Sequence, residues 1–195
     1  MTRVTVLEPI ARRWSPRAFG KGAPTREDLL GLFEAARWTA SSGNFQPWRF
    51  VALRKKEDAD AFQKLFACLN AANQRWVAQA PVLLLTAART TVETTGKPNR
   101  WAWYDVGQAA SALAIEATAR GLVVHPMAGF DGAKARETLG IPAEFEPVTM
   151  IAIGRPGHPD LLPPDLAERE RQERKRKQLE EIVFGAWDTA APFLS

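Results

Sequence analysis

Cysteine and histidine are both scarce in this sequence of 195 residues, which contains one cysteine, Cys68, and two histidines, His125 and His158. A single cysteine excludes a disulfide framework and a metal site built from cysteines. The two histidines do not lie in an HExxH arrangement, which excludes a histidine-rich metal centre. We therefore predict no metal site. Cys68 lies within an apolar stripe of helical spacing, and we expect it to be a buried packing residue rather than a reactive thiol.

Long apolar runs are missing too. No stretch approaches the roughly 18 apolar residues that a membrane-spanning helix needs. The first residues, MTRVTVLEPIARRW, lack the apolar region and the cleavage pattern of a secretory signal. We therefore expect a cytoplasmic protein with no membrane segment.

The common phosphate-binding signatures are also absent. The sequence has no GxGxxG after a predicted strand and no GxxxxGK followed by Ser or Thr. Any bound anion would therefore be held by side chains. The net charge of +4 suits a nucleic acid or a small anion equally well, so the distribution of the charges has to decide between them.

The composition that remains is typical of a folded α+β protein. Hydrophobic residues make up 46% and charged residues 25% of the chain, which favours one soluble domain over residues 1–195. Patterns of period 3.6 and period 2 alternate along it. They predict helices at 25–38, 57–72, 101–120 and 131–142, strands at 48–54, 80–88, 122–130 and 147–154, an exposed loop at 89–100 that could form a mobile lid, and a charged helix with an apolar tail from 163.

A basic segment, RRWSPRAF, lies near the amino end. In an extended segment, residues two apart point the same way, so Arg13, Ser15 and Arg17 would share one face. Two guanidinium groups and a hydroxyl on one face are suited to holding a phosphate. A solvated basic turn is the alternative, and these residues alone favour it.

A second basic segment, RERQERKRKQ, lies near the carboxyl end. Glu170 with Arg174, and Glu173 with Lys177, are four-apart pairs that an exposed helix commonly carries. A surface that binds nucleic acid should show basic residues with few acids between them, whereas acids interleave here. We therefore expect no nucleic-acid partner.

The turn TASSGNFQPWRF has an unusual number of polar side chains. Ser41, Ser42, Asn44 and Gln46 can both donate and accept hydrogen bonds, which suits a planar heterocycle edged with carbonyl oxygens and ring nitrogens. A polar loop without a ligand is the alternative.

The order of these pieces along the chain resembles the FMN-dependent nitroreductase family. RRWSPRAF, EAARWTASSGNFQPWRF, ARGLVVHPMAGFD, IAIGRPG and KRKQLEEIV carry the resemblance, and SSGNFQPW is the most specific of them. The resemblance implies an α+β fold with a central mixed sheet of four to five strands. It also implies an intertwined homodimer with FMN at the subunit interface, in which residues 163–195 wrap the partner.

The resemblance also implies roles for individual residues. Arg13, Ser15 and Arg17 would contact the ribityl phosphate and the pyrimidine edge of FMN, with Trp14 at the rim of the pocket. Ser41, Ser42 and Asn44 would line the ring from the partner subunit, and Gln46 of the same turn is a further cofactor-binding candidate. The remaining expected contacts are Asn73, Pro126, Met127, Ala128 and Gly129 at the flavin edge, and Arg174 and Arg176 at the phosphate.

Two positions depart from the family pattern, and the 89–100 loop is short. Many members have a basic residue or histidine where this chain has Trp14, and a lysine where it has Arg17. The short loop lacks the long lid of the dehalogenating relatives.

The resemblance implies an enzyme in which FMN, not a catalytic side chain, carries the chemistry. NADH or NADPH would reduce the flavin, and an electron-poor small molecule such as a nitroaromatic or quinone would then reoxidise it by a ping-pong mechanism. A flavin-storage module, a dehalogenase and a metabolite dehydrogenase remain alternatives. Trp101 and Trp103 could cover the flavin, but we expect them to pack in the core.

Overall fold

Four strands form the central sheet of the protein. The structure is a computed structural model that describes residues 5–194, so residues 1–4 and 195 of the expected domain lie outside it. Strands β1 (Trp48–Arg54), β2 (Val82–Arg89), β3 (Val123–Met127) and β4 (Phe145–Gly154) lie in the order β1-β2-β4-β3. All four were predicted, and β2 runs through the centre as the continuous apolar run APVLLLTAA indicated.

The sheet is antiparallel throughout, so the expectation of a mixed sheet was wrong. Each hydrogen-bonded pair, β1 with β2, β2 with β4, and β3 with β4, runs in opposite directions. The connection from β1 to β2 explains the direction of that pair. Lys55, directly after β1, donates its backbone N–H to the carbonyl of Pro81, directly before β2, at 2.8 Å. The chain therefore re-enters the sheet at the end where it left, which makes the two strands antiparallel.

Helices cover both faces of the sheet. In the part of the chain that the structure describes they are α1 (Glu8–Arg12), α2 (Arg26–Arg37), α3 (Ala59–Phe66), α4 (Ala71–Val77), α5 (Ala102–Ala119), α6 (Gly132–Leu139) and α7 (Pro164–Glu170). Helix α2 begins as predicted, with a capping box between Thr25 and Asp28. Helix α5 is the long alanine-rich helix expected at 101–120. Among residues 5–194, no helix is both long and apolar enough to cross a membrane.

The single helix expected over residues 57–72 is divided into α3 and α4. Asn70 begins the second helix, and its side chain accepts the backbone N–H of Asn73 at 2.9 Å. The backbone N–H of Asn70 donates to the carbonyl of Gly129 at 3.0 Å instead of continuing the first helix. A contact with a distant segment therefore lies in the break between α3 and α4, and local periodicity does not report such a contact.

The charged helix predicted from residue 163 ends much earlier than expected. Helix α7 stops at Glu170, and residues 173–178 have no regular secondary structure. The four-apart pairs considered for the basic segment do not form: the carboxylate of Glu170 accepts backbone N–H groups near the amino end, and Glu173 and Lys177 do not lie on a helix. The tail continues into two short antiparallel strands, β5 (Phe184–Ala186) and β6 (Thr189–Ala190).

The hydrophobic core consists of two clusters, one on each face of the sheet. Alternate residues of β2 divide between them: Leu83 and Leu85 pack with α3 and α4, whereas Leu84 packs with α2 and α5. Cys68 is buried in the first cluster, as predicted. Trp101 and Trp103 are 49% and 47% exposed, so the expectation that they pack in the core of this chain was wrong. Both lie at the start of α5, where the helix surface is uncovered.

Candidate functional site

The basic segment near the amino end follows a short helix that the sequence patterns did not predict. Helix α1 ends at Arg12, and Arg13 begins an extended path. The Nη1 of Arg13 donates to the Oγ of Ser15 at 3.4 Å, so these two side chains share a face as expected. Arg17 points elsewhere: its Nη1 lies 3.7 Å from the Oε2 of Glu170, whose side chain is 1% exposed.

The tail brings two more arginines to this segment. Arg174 donates from Nη1 to the carbonyl of Arg13 at 2.5 Å and from Nη2 to the carbonyl of Ala11 at 2.9 Å. Arg174 and Arg176 line a cavity of about 380 Å³ together with Arg13, Ile10 and Ala11. We call this space the basic cavity. Among the described residues, none that lines it is acidic.

The charges around the basic cavity repel each other. Burial lowers the pKa of Arg13, and the positive charges of Arg174 and Arg176 lower it further. Gathering three guanidinium groups without a counter-ion costs free energy, and an anion in the cavity would remove that cost. The donor set therefore suits a phosphate, which guanidinium groups bind through paired hydrogen bonds.

The segment PMAGF lies beside the predicted asparagine. Pro126 and Met127 end strand β3, and the Nδ2 of Asn73 donates to the carbonyl of Gly129 at 3.1 Å. A Cβ atom on Gly129 would lie 2.3 Å from the Nδ2 of Asn70 and 2.8 Å from that of Asn73. The glycine is thus required by packing within the chain. Asn73 therefore contacts Gly129, which Ala128 directly precedes, and their role at a flavin edge stays a prediction.

An apolar groove runs along α5 and reaches both of these elements. Its volume is about 330 Å³. It is lined by Arg13, Val106, Gly107, Ala110, Ser111, Ala114, Pro126, Val148 and Thr149. The small residues of α5 leave room for a flat apolar ligand or for another helix beside Arg13 and Pro126. Trp14 is half-buried and lines a different space of about 170 Å³, with Arg12 and Pro156.

The polar turn has a constrained backbone. Gly43, Asn44 and Gln46 have positive φ values of 55°, 55° and 46°. Such conformations cost about 1–3 kcal/mol each for residues other than glycine and cluster at functional sites. The Oγ of Ser41 accepts the backbone N–H of Gln46 at 2.9 Å, which helps to hold this shape.

The turn is fixed to the start of α5 by an acid that the sequence analysis did not identify. Asp105 is 1% exposed, and its Oδ2 accepts the backbone N–H of Ser42 at 3.2 Å. A signal was present in the sequence, because Asp105 occupies a position on the apolar face of α5 beside Val106 and Ala109. Within the described residues, no hydrogen bond or ion pair joins this turn to the residues of the basic cavity.

Two further residues contact the amino-terminal segment. Neither was predicted from the sequence. The Nδ1 of His125 lies 3.0 Å from the carbonyl of Pro16, and because a carbonyl can only accept, this nitrogen carries the proton. Burial, as the largest cause, lowers the pKa of His125 to about 4. The other residue is Glu170, which binds the segment from the opposite end of the chain. No spacing rule in the sequence identifies either contact.

This chain is similar to known proteins in both sequence and structure. The model of the Nitroreductase family matches residues 10–155. The "Uncharacterized 15.4 kDa protein in ask 5'region" of Mycolicibacterium smegmatis is 34% identical over 146 residues, covering 71% of this chain and 97% of that protein. The "NADH dehydrogenase" of Thermus thermophilus is 28% identical, covering 74% of this chain and 83% of that protein.

A solved structure covers nearly the whole chain. It is described as "The crystal structure of the oxidoreductase containing FMN", and it superimposes with a TM-score of 0.88 at 34% sequence identity. The match covers 98% of this chain and 96% of the other. The similarity therefore extends through the carboxyl-terminal tail, which lies beyond the residues matched by the family model.

Proposed function

Because this chain belongs to the Nitroreductase family, we propose that it is an FMN-dependent oxidoreductase that takes electrons from NADH or NADPH. The acceptors would be nitroaromatics, quinones or similar electron-poor small molecules. Support for a flavin comes from the family and from the similar structure described as containing FMN. Support for the nicotinamide donor comes from the name of the Thermus thermophilus relative.

The observation that carries the proposal is the basic cavity. Arg13, Arg174 and Arg176 converge there with no acid among the lining residues that the structure describes. These guanidinium groups, with the hydroxyl of Ser15, would hold the ribityl phosphate. The apolar groove along α5 adjoins Arg13 and Pro126 and would accept part of the flavin ring.

The remaining candidate residues would contact the edges of the ring. Asn73 and the backbone near Ala128 and Gly129 would lie at one edge, and Met127 ends the strand that leads there. Arg17 would add positive charge near the pyrimidine edge, and Trp14 would lie at the rim. As the family resemblance implies, Ser41, Ser42 and Asn44 would line the ring of the partner subunit, and Gln46 of the same turn would be a further contact.

When bound, FMN would supply the redox chemistry between the nicotinamide donor and the electron-poor acceptor, which would use the site in turn by a ping-pong mechanism. No side chain of the chain needs to act as an acid or base. The guanidinium of Arg13 would favour the reduced flavin, which carries negative charge.

We further propose that the protein is a homodimer in which residues 163–195 wrap the partner, forming with residues 1–162 a single FMN-binding domain. Apolar side chains are exposed on α5 and on the tail, notably Trp103, Tyr104 and Trp187. Large exposed apolar side chains favour burial against another molecule. A cytoplasmic location and the absence of a nucleic-acid partner stay predictions from the sequence.

The proposal is tested by adding FMN to the purified protein and recording its absorption spectrum. We expect stoichiometric binding of FMN, followed by anaerobic bleaching with NADH or NADPH and recovery of colour on addition of a quinone. Protein that does not bind FMN would contradict the proposal. Protein that binds FMN but is bleached by neither nucleotide would instead support a storage role. Light scattering of the same sample measures the subunit number.

A further inference from the structure

A buried carboxylate holds the amino-terminal basic segment from the far end of the chain. The Oε1 of Glu170 accepts the backbone N–H groups of Arg17 at 2.7 Å and Ala18 at 3.0 Å. Its Oε2 has no hydrogen-bond partner among the described residues and lies 3.7 Å from the Nη1 of Arg17. Glu170 therefore contacts both the backbone and the charged group of the same arginine.

The geometry of Glu170 is unusual for an acid. Its side chain is 1% exposed, so its carboxylate lacks the hydrating water that surrounds an exposed glutamate. Two backbone hydrogen bonds and one loose ion pair replace that hydration. Burial of a charge costs more free energy than burial of a hydrocarbon of similar size. If Glu170 served only to pack against its neighbours, an apolar residue would therefore serve at least equally well.

The segment that Glu170 holds is also fixed from the sheet. His125 donates from Nδ1 to the carbonyl of Pro16. Pro16 directly precedes Arg17, whose backbone N–H is accepted by Glu170. His125 directly precedes Pro126, which lines the groove beside Arg13. The path of residues 16–18 is therefore determined by one contact from β3 and two from α7, so the position of Arg17 is set from both sides.

The contact between Glu170 and Arg17 also has an electrostatic effect. A carboxylate close to a guanidinium offsets part of its charge, and the offset is stronger away from water because screening is weaker there. The side chain of Arg17 is 24% exposed, so solvent weakens the pair only in part. Arg17 should therefore act on its surroundings as less than a full positive charge.

We propose that Glu170 is a positioning residue of the flavin site, which fixes Arg17 and reduces its electrostatic effect on the bound flavin. This inference rests on the proposed function. Removing the charge of Glu170 while keeping its hydrogen bonds would leave Arg17 with its full charge. The reduced flavin, which is negatively charged, would then be stabilised, and the midpoint potential of the bound flavin would become more positive.

Two substitutions separate the charge of Glu170 from its hydrogen bonds. Glu170→Gln keeps an oxygen for the N–H groups of Arg17 and Ala18 but removes the charge. We expect FMN affinity within about threefold of wild type, and a change of about tenfold in the reduction equilibrium, which is about 30 mV toward positive values for a two-electron couple. Glu170→Ala removes both, and we expect FMN affinity to fall at least about tenfold.

The matched control is Glu168→Gln, on the same helix but exposed, which should change neither quantity. FMN affinity is measured by quenching of flavin fluorescence, and the midpoint potential by equilibration with a reference dye. A potential for Glu170→Gln equal to that of the control would overturn the inference, because a purely structural role does not depend on the charge. Unchanged FMN affinity in Glu170→Ala would overturn it as well.

If the Glu170 variants do not fold, the ion pair between Glu170 and Arg17 is instead tested by substituting Arg17. Arg17→Gln should then make the midpoint potential more negative, and an unchanged potential would overturn the inference. Wild-type protein that binds no FMN contradicts the proposed function itself. Wild-type protein that binds FMN, with variants that behave like the control, contradicts only the role of Glu170.

Discussion

Arg174 donates a hydrogen bond of 2.5 Å to the carbonyl of Arg13, and the two residues lie 161 positions apart in the chain. The contact places two guanidinium groups near each other despite their repulsion, which lowers the pKa of Arg13. Backbone carbonyls satisfy the donors of Arg174. The basic cavity therefore exists only in the folded chain, and its donor groups suit an anion.

Arg13→Ala should weaken FMN binding and make the midpoint potential of the bound flavin more negative. A hydrogen bond to a charged group is worth about 1.5–3 kcal/mol, which corresponds to a loss of affinity of roughly 10-fold to 150-fold. Fluorescence titration measures the affinity and dye equilibration the potential. Arg12→Ala is the control, because Arg12 is exposed and paired with Glu8. Wild-type values for Arg13→Ala would rule out its assigned role.

A chain that ends at Glu173 should release FMN and form weaker dimers. It lacks both arginines that the tail contributes to the basic cavity. A chain that ends at Lys177 retains them while losing the rest of the tail, so we expect it to bind FMN more tightly than the shorter chain does. Gel filtration with detection at the flavin absorption band compares the two. A yellow, dimeric product of the shorter truncation would contradict the prediction.

The free energy of unfolding should fall as the pH decreases from about 6.5 to 4. Burial lowers the pKa of His125 from 6.5 to about 4 in the folded protein, so the unfolded chain binds a proton in this window and the folded chain does not. This difference in the pKa of His125 between the folded and the unfolded chain corresponds to about 3 kcal/mol of unfolding free energy. Urea unfolding at several pH values measures it. His125→Gln should reduce this slope, whereas His158→Gln, at an exposed site, should retain it.

Asp105→Ala should release the polar turn from α5. The substitution leaves the backbone N–H of Ser42 without its acceptor, and we expect the free energy of unfolding to fall by about 1–3 kcal/mol. Urea denaturation measures the change, with Asp60→Ala on the exposed face of α3 as the control. Equal stability of the two variants would show that Asp105 does not hold the turn.

The sequence was sufficient for much of the fold. Helix α2 begins at the capping box of Thr25 and Asp28, and β2 is the continuous apolar run expected of a strand covered on both faces. The family resemblance is confirmed by the family model that matches residues 10–155. Local patterns are reliable here because capping and periodicity depend on residues that are close in the chain.

The errors arose where distant segments meet. The expected helix at 57–72 is broken at Asn70 by its hydrogen bond to Gly129. The expected helix in the basic tail ends at Glu170, whose carboxylate accepts the N–H of Arg17. In each case a long-range hydrogen bond lies near the point where the predicted helix stops.

The sequence by itself determined the four strands of the central sheet, helices α2 and α5, the family, and the polar and basic residue types that the candidate site uses. Only the tertiary structure decided the antiparallel order of the sheet, the pairing of Arg17 with Glu170, and the gathering of Arg13, Arg174 and Arg176 around one cavity. The physical reason is that periodicity and capping are properties of neighbouring residues, whereas buried charges and cavities depend on which distant segments fold against each other.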